Sequence, residues 1–130
     1  MEEEIKARLR RVVDEAWNEG KIESLAELHC PDYVEHHSPF ADVVGLAAFA
    51  QRVAGIQKTF AGFHLTFHDI IVEGEMVAAR WSWTGTHVGR TPILTGPPSG
   101  REVTVSGAHV FRLEGGKLKE GWHFSDDLGV

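Results

Sequence analysis

The sequence predicts an α+β fold, with helices confined to the N-terminal half and packed on one side of a curved antiparallel sheet. Two observations predict it. As far as residue 60 the apolar residues recur at helical spacing, and after residue 61 the period drops to two. Glycine- and proline-bearing segments then divide the second half at the intervals expected of strands joined by turns.

The first helix is amphipathic: Ile5, Leu9, Val12, Val13, Ala16 and Trp17 form one stripe, and Gly20 suits its C-terminal stop. A short second helix covers KIESLAELH, ended by Pro31 and a loop, PDYVEHHSPF. A third spans GLAAFAQRVAGIQKTF, with Leu46, Phe49, Val53, Ile56 and Phe60 on one side. FHLTFHDIIVEG begins the strands, and its run Ile70-Ile71-Val72 predicts a bulge or burial on both faces. EMVAARWSWTGTHVG is the second strand, GRTPILTGPPSGRE a loop, and EVTVSGAHVFRLE the third strand. Gly115-Gly116 is a hairpin turn leading into the fourth, KLKEGWHFSDD. Gly85, Gly107 and Gly121 lie within strands, where glycine either bends a sheet or admits close packing.

With 130 residues and no internal repeat, the chain is expected to be a single domain over 1–130. A net charge of -6 without a basic stripe argues against nucleic acid as partner. The lone Cys30 excludes an internal disulfide and fits a reducing compartment. MEEEIKARLRR lacks the apolar core of a signal peptide, and no stretch reaches membrane-spanning length. Together these features predict a cytoplasmic protein with no membrane partner.

Spread across the chain, WNEGKIESLAEL, DYVEHHSP, VAARWSWTGTHVG, PSGREVTVSGAHVFRLEGGKLKEGW and the closing DDLG resemble the SnoaL-like polyketide cyclases. These are a branch of the nuclear transport factor 2-like superfamily. The resemblance implies a cone: a strongly curved sheet around a hydrophobic pocket, closed by helices, commonly paired into homodimers through the sheet. It implies an Asp of a D-x-x-G ending, matched by Asp126, as general acid or base in an aldol closure. It also places His36 at the pocket mouth. The chain departs from the family in His37, where Asn is common, and in stopping at Val130.

Strand alternation puts Leu118, Glu120, Trp122, Phe124 and Asp126 on one face, so Asp126 is expected in partly desolvated surroundings; the alternative is a solvated acidic terminus. His109 shares the apolar face of its strand with Val105, Phe111 and Leu113, as a core histidine or a pocket group. His123 faces away from Asp126 and is discounted. Catalysis is therefore assigned to Asp126, His36 and His109. Substrate contacts are assigned to His37, Trp83, His87, Phe111 and Trp122. Arg80 is expected to pair with Asp69 or Glu120. No metal is expected, because His64 and His68 stand roughly 13 Å apart on a strand and no HExxH motif occurs. The favoured function is a cofactor-independent cyclase or isomerase acting on a small hydrophobic substrate. Its rivals are a ligand-binding or dimerisation domain and an epoxide hydrolase built on Asp69, Arg80 and Asp126.

Overall fold

The computed structural model describes residues 2–38, 40–89 and 99–126. Helix α1 (Glu2–Val13) buries Ile5, Leu9, Val12 and Val13, the stripe its apolar spacing predicts. It runs into one widened turn, Asp14–Asn18, closed by a bond from the Glu19 amide to the Asp14 carbonyl at 3.1 Å. Such a π-turn rotates the following side chains relative to an α-helix. Trp17 reaches Phe49 and Phe63 from here, with ring centroids 6.1 and 5.9 Å away. A 3-10 turn, Ile22–Glu27, replaces the expected second α-helix.

Strands β1 (His29–His36) and β2 (Val43–Val44) follow, then helix α2 (Leu46–Thr59) and strands β3 (Phe60–Glu73), β4 (Met76–His87), β5 (Glu102–Glu114) and β6 (Lys117–Ser125). They form one open sheet in the order β2-β1-β6-β5-β4-β3, in which β1 runs parallel to β6 and every other pair is antiparallel. Helix α2 touches both β1 and β3. These strands lie four neighbours apart, so the sheet must curl around the helix.

The α+β class and the four long strands are as the sequence predicts; β1 is not. The segment expected to be a loop after Pro31 is a strand, disguised because its register with β6 breaks between His29 and Val34. Pro31 falls in that break, where the missing amide costs no ladder bond. The bulge expected at Ile70–Val72 lies just upstream, between Phe67 and Asp69. Ile70 and Val72 are then both buried, and Ile71 is exposed. Most of the predicted loop before β5 lies outside the described residues.

A second bulge has larger consequences. On β6, Leu118 pairs with Leu113 but Glu120 pairs with Arg112, so Lys119 is an extra residue. One inserted residue exchanges the two faces of the strand beyond it. Leu118 points inward, and past the bulge Gly121 and His123 face inward too. Trp122, Phe124 and Asp126 are thereby turned outward.

The core is continuous from α1 across α2 to β3–β6, with a satellite of Phe60, Phe63, Trp81, Val103 and Val105. Two strand glycines are fixed by close approach. A Cβ on Gly107 would lie 2.6 Å from the end of the Trp81 indole, and one on Gly121 would overlap the Tyr33 hydroxyl. Gly115 and Gly116 both have positive φ, 62° and 80°, as the β5–β6 hairpin turn requires. Gly121→Ala should therefore lower stability by about 1–3 kcal/mol. The check is urea unfolding, and a midpoint equal to wild type would show that Tyr33 can yield.

Candidate active site

Sheet register explains which polar groups meet inside the curl. His109 and His123 are direct cross-strand partners on β5 and β6, so their side chains project to the same face. Glu35 on β1 lies beside Gly121 of β6. With no side chain between them, the carboxylate passes over Gly121 toward the histidines.

Glu35 is 2% exposed. Its Oε1 accepts from the Tyr33 hydroxyl at 2.9 Å and lies 2.9 Å from His109 Nε2. Its Oε2 is 3.5 Å from His123 Nδ1, too long for a good hydrogen bond. Trp81 Nε1–H donates to His109 Nδ1 at 2.9 Å. An indole nitrogen can only donate, so Nδ1 of His109 is the acceptor and its proton sits on Nε2, directed at Glu35. The opposite ring edge of His123 meets Ser125 Oγ at 2.9 Å. His37 stacks face to face on His123, with centroids 3.8 Å apart, and Arg52 donates to His37 Nδ1 at 2.9 Å.

Burial pushes the Glu35 carboxyl upward, but His109, and after it His123, outweigh burial and hold it well below the usual carboxylate range. Burial also pushes His123 down to about 4, although the neighbouring Glu35 carboxylate opposes this. His29, beneath the cluster, is lowered to about 4 by burial as well. Near neutral pH the centre is thus an ionised carboxylate beside a neutral His123. An ion this deeply buried is tolerable only when its oxygens are satisfied; Tyr33 and His109 do this for one of them, and the other lies 3.5 Å from His123 Nδ1.

Glu35 lines a cavity of about 60 Å³. The polar cluster lies at one side, with Glu35, His109 and His123 on its wall; Leu65, Phe67, Trp83 and Phe111 supply apolar wall, and Arg52 reaches it from α2. Glu35, His109 and His123 also offer ligand atoms within 4.8 Å of one another, a donor set that suits a divalent metal. The Trp81 bond opposes that use. With Nδ1 of His109 accepting, Nε2 bears a hydrogen and has no lone pair to give.

A model of the family described as SnoaL-like polyketide cyclase matches residues 7–130. The chain belongs to the SnoaL-like polyketide cyclases. The family resemblance visible in the sequence is thereby confirmed, and with it an enzyme of the cyclase type. Aklanonic acid methyl ester cyclase DnrD of Streptomyces peucetius is 30% identical over 127 residues, 94% of this chain and 84% of the relative. Nogalonic acid methyl ester cyclase of Streptomyces nogalater is 28% identical over 118 residues, 88% of this chain and 86% of the relative. Among solved structures, a SnoaL-like protein from Jannaschia sp. CCS1 superposes with a TM-score of 0.84 at 25% identity, covering 95% of this chain and 86% of that one. TsrD from Streptomyces laurentii gives 0.82 at 28%, covering 95% and 91%. The α+β cone fold follows from these likenesses.

Within this family frame the expected site residues divide. His109, Trp83 and Phe111 line the cavity. His37 is buried and reaches the cluster through its stack on His123. His87 is buried too, but it meets Ser99 and Phe60 rather than the cavity. Three others lie away from the cavity. Asp126 is exposed, because the Lys119 bulge turns its face of β6 outward. Trp122 shares that outer face and stacks on His36. His36 is outward as well, since β1 is a strand and its neighbour Glu35 takes the inner position; it bonds to Glu120 at 2.6 Å and Asp42 at 2.9 Å. Arg80 pairs with Asp69 at 2.7 Å, both exposed, so the Asp-Arg-Asp group of an epoxide hydrolase does not assemble. Sequence reading missed Glu35, Tyr33 and His123. The alternation of Tyr33, Glu35 and His37 against Val34 and His36 was the available signal for the first two.

The depressed histidines set a stability trend. Between pH 6.5 and about 4 the unfolded chain binds protons that buried His29 and His123 refuse, so stability falls as pH drops through this window. Glu35 extends the loss to lower pH, as acid protonates it in the folded state. His36, raised by its bonds to Glu120 and Asp42, acts in the opposite sense but is solvent-screened. The urea midpoint should fall progressively from pH 6.5 toward 4, and His123→Gln should flatten that slope; an unchanged slope would show that His123 does not titrate there.

Proposed function

We propose that the chain catalyses a cofactor-independent intramolecular aldol closure on a polyketide-like substrate, with Glu35 as the base and His123 as the proton donor. The observation that carries this reading is the Glu35 carboxylate, 2% exposed, on the wall of a largely apolar cavity with its Oε2 3.5 Å from His123 Nδ1. Because it is held ionised, the carboxylate is available to take a proton from a C–H acidified by flanking carbonyls. Glu35 Oε2 takes that proton, and the resulting enolate carbon attacks a second carbonyl of the same molecule. One C–H bond breaks and one C–C bond forms. The new alkoxide takes a proton from His123 Nδ1–H, and the proton on Glu35 returns to the imidazole across their 3.5 Å contact. Nothing is oxidised or reduced, so no cofactor enters. His109, fixed by Trp81, keeps the other carboxylate oxygen in place.

The names of the Streptomyces relatives support an aromatic polyketide as substrate. Such a molecule is larger than the present cavity, so its entry has to displace side chains of the wall. The small volume also supports the second reading, a pocket that holds a ligand without turnover. As a proposal of the same standing, the protein is a homodimer paired through the outer sheet face, where Ile71 and Phe124 are 64% and 59% exposed.

Kinetics with an anthraquinone-type polyketide, supplied both as the free acid and as its methyl ester, separate the candidates. Glu35→Gln preserves the shape and should lower kcat roughly 10²- to 10⁴-fold, whereas Asp126→Asn should stay within a few-fold of wild type. A large loss in Asp126→Asn with an active Glu35→Gln would return the role to Asp126. Wild-type binding without turnover would favour the non-enzymatic reading.

A further inference from the structure

The cavity wall carries a positive charge that the proposed chemistry does not use. Arg52 projects from α2 into the cavity lining and is half-buried. Its recorded bond goes to a neutral acceptor, Nδ1 of His37, at 2.9 Å. Among the described residues no carboxylate pairs with it; the one acid on the wall, Glu35, is engaged by Tyr33, His109 and His123. A guanidinium presents five N–H donors in a planar fork that fits a carboxylate with two parallel bonds. Here most of that fork is unspent, and it stands on the wall of an otherwise apolar chamber in a chain of net charge -6.

Resting on the cyclase reading, we infer that Arg52 is a specificity-determining residue that binds the ionised carboxylate of the substrate. The substrate class is then a polyketide free acid rather than its neutral ester. Geometry assigns the two ends of such a molecule. His37 contacts Arg52 at one edge and stacks 3.8 Å from His123, which in turn faces Glu35. The guanidinium and the base are thus separated by two stacked imidazoles. An anionic group is repelled by the Glu35 carboxylate and drawn to Arg52, so the acid end settles away from the base. The carbonyl-bearing portion is left beside Glu35 and His123. Arg52 orients the molecule while making no contact with the reacting carbon.

The test is calorimetric binding of anthraquinone-2-carboxylate and its methyl ester to wild type, Arg52→Gln and Arg52→Lys, with thermal melts to confirm folding. Wild type should favour the carboxylate by at least roughly tenfold, the scale of a hydrogen bond to a charged group. Arg52→Gln should abolish the preference with little change for the ester, and Arg52→Lys should keep part of it. Equal or tighter ester binding by wild type overturns the inference, as does a preference that survives in Arg52→Gln; the cyclase reading stands in both cases. Failure of both probes to bind wild type overturns the inference and the cyclase reading together. Loss of turnover in Glu35→Gln with the acid preference intact supports both.

Discussion

The structure is organised around the burial of one carboxylate. Glu35 loses its water on β1, and a charge in that position is stable only if neighbouring strands bring donors to it. Tyr33 does so from two residues away on the same strand face, and His109 from across β6. Each donor needs room. Gly121 lies under the Tyr33 hydroxyl, and Gly107 accepts the Trp81 ring whose N–H orients His109. The strand glycines are thus steric consequences of the buried charge: a side chain at either position would displace a group that holds Glu35 or its partner.

The Lys119 bulge belongs to the same requirement. Without the extra residue, β6 would present Trp122 and Phe124 to the cavity and send His123 to solvent. With it, Leu118 stays in the core while His123 comes opposite His109. A single inserted residue therefore decides whether the inner face of β6 carries Trp122 and Phe124 or His123. The outer face is then free to carry ordinary surface pairs, such as Arg112 and His36 on Glu120.

This explains what the sequence made legible and what it hid. Helix α1, helix α2 and the four long strands follow from spacing alone, because burying one face imposes a period that persists over a dozen residues. His109, Trp83 and Phe111 face the cavity as spacing predicts, because they lie on regular stretches of β5 and β4. Asp126, Trp122 and His36 lie on the outer face, which spacing does not reveal, because period-2 counting changes parity at a bulge and cannot register an unrecognised strand. Neither Lys119 nor the Pro31 break announces itself locally, since the cause is a mismatch with a partner strand distant in sequence. Glu35 was missed because an acidic residue normally reads as surface, and nothing short of its neighbours' positions reverses that presumption.

The two ends of the chamber differ in what holds them. The acid-base end is tied into the sheet: Glu35, His109 and His123 sit on adjacent strands whose backbone ladders fix their spacing. The opposite wall comes from α2, which supplies Phe49, Arg52 and Ile56 and is bound to the sheet chiefly by side-chain packing. Packing yields to a ligand more readily than a hydrogen-bonded ladder, because a shifted helix keeps its internal bonds while a shifted strand loses its own. Enlarging the 60 Å³ cavity is therefore cheapest along α2. That direction leaves the base and its donors undisturbed and carries Arg52 with the moving wall. In this fold the buried carboxylate and its donors belong to the sheet, and the cavity's one arginine to the helix packed against it.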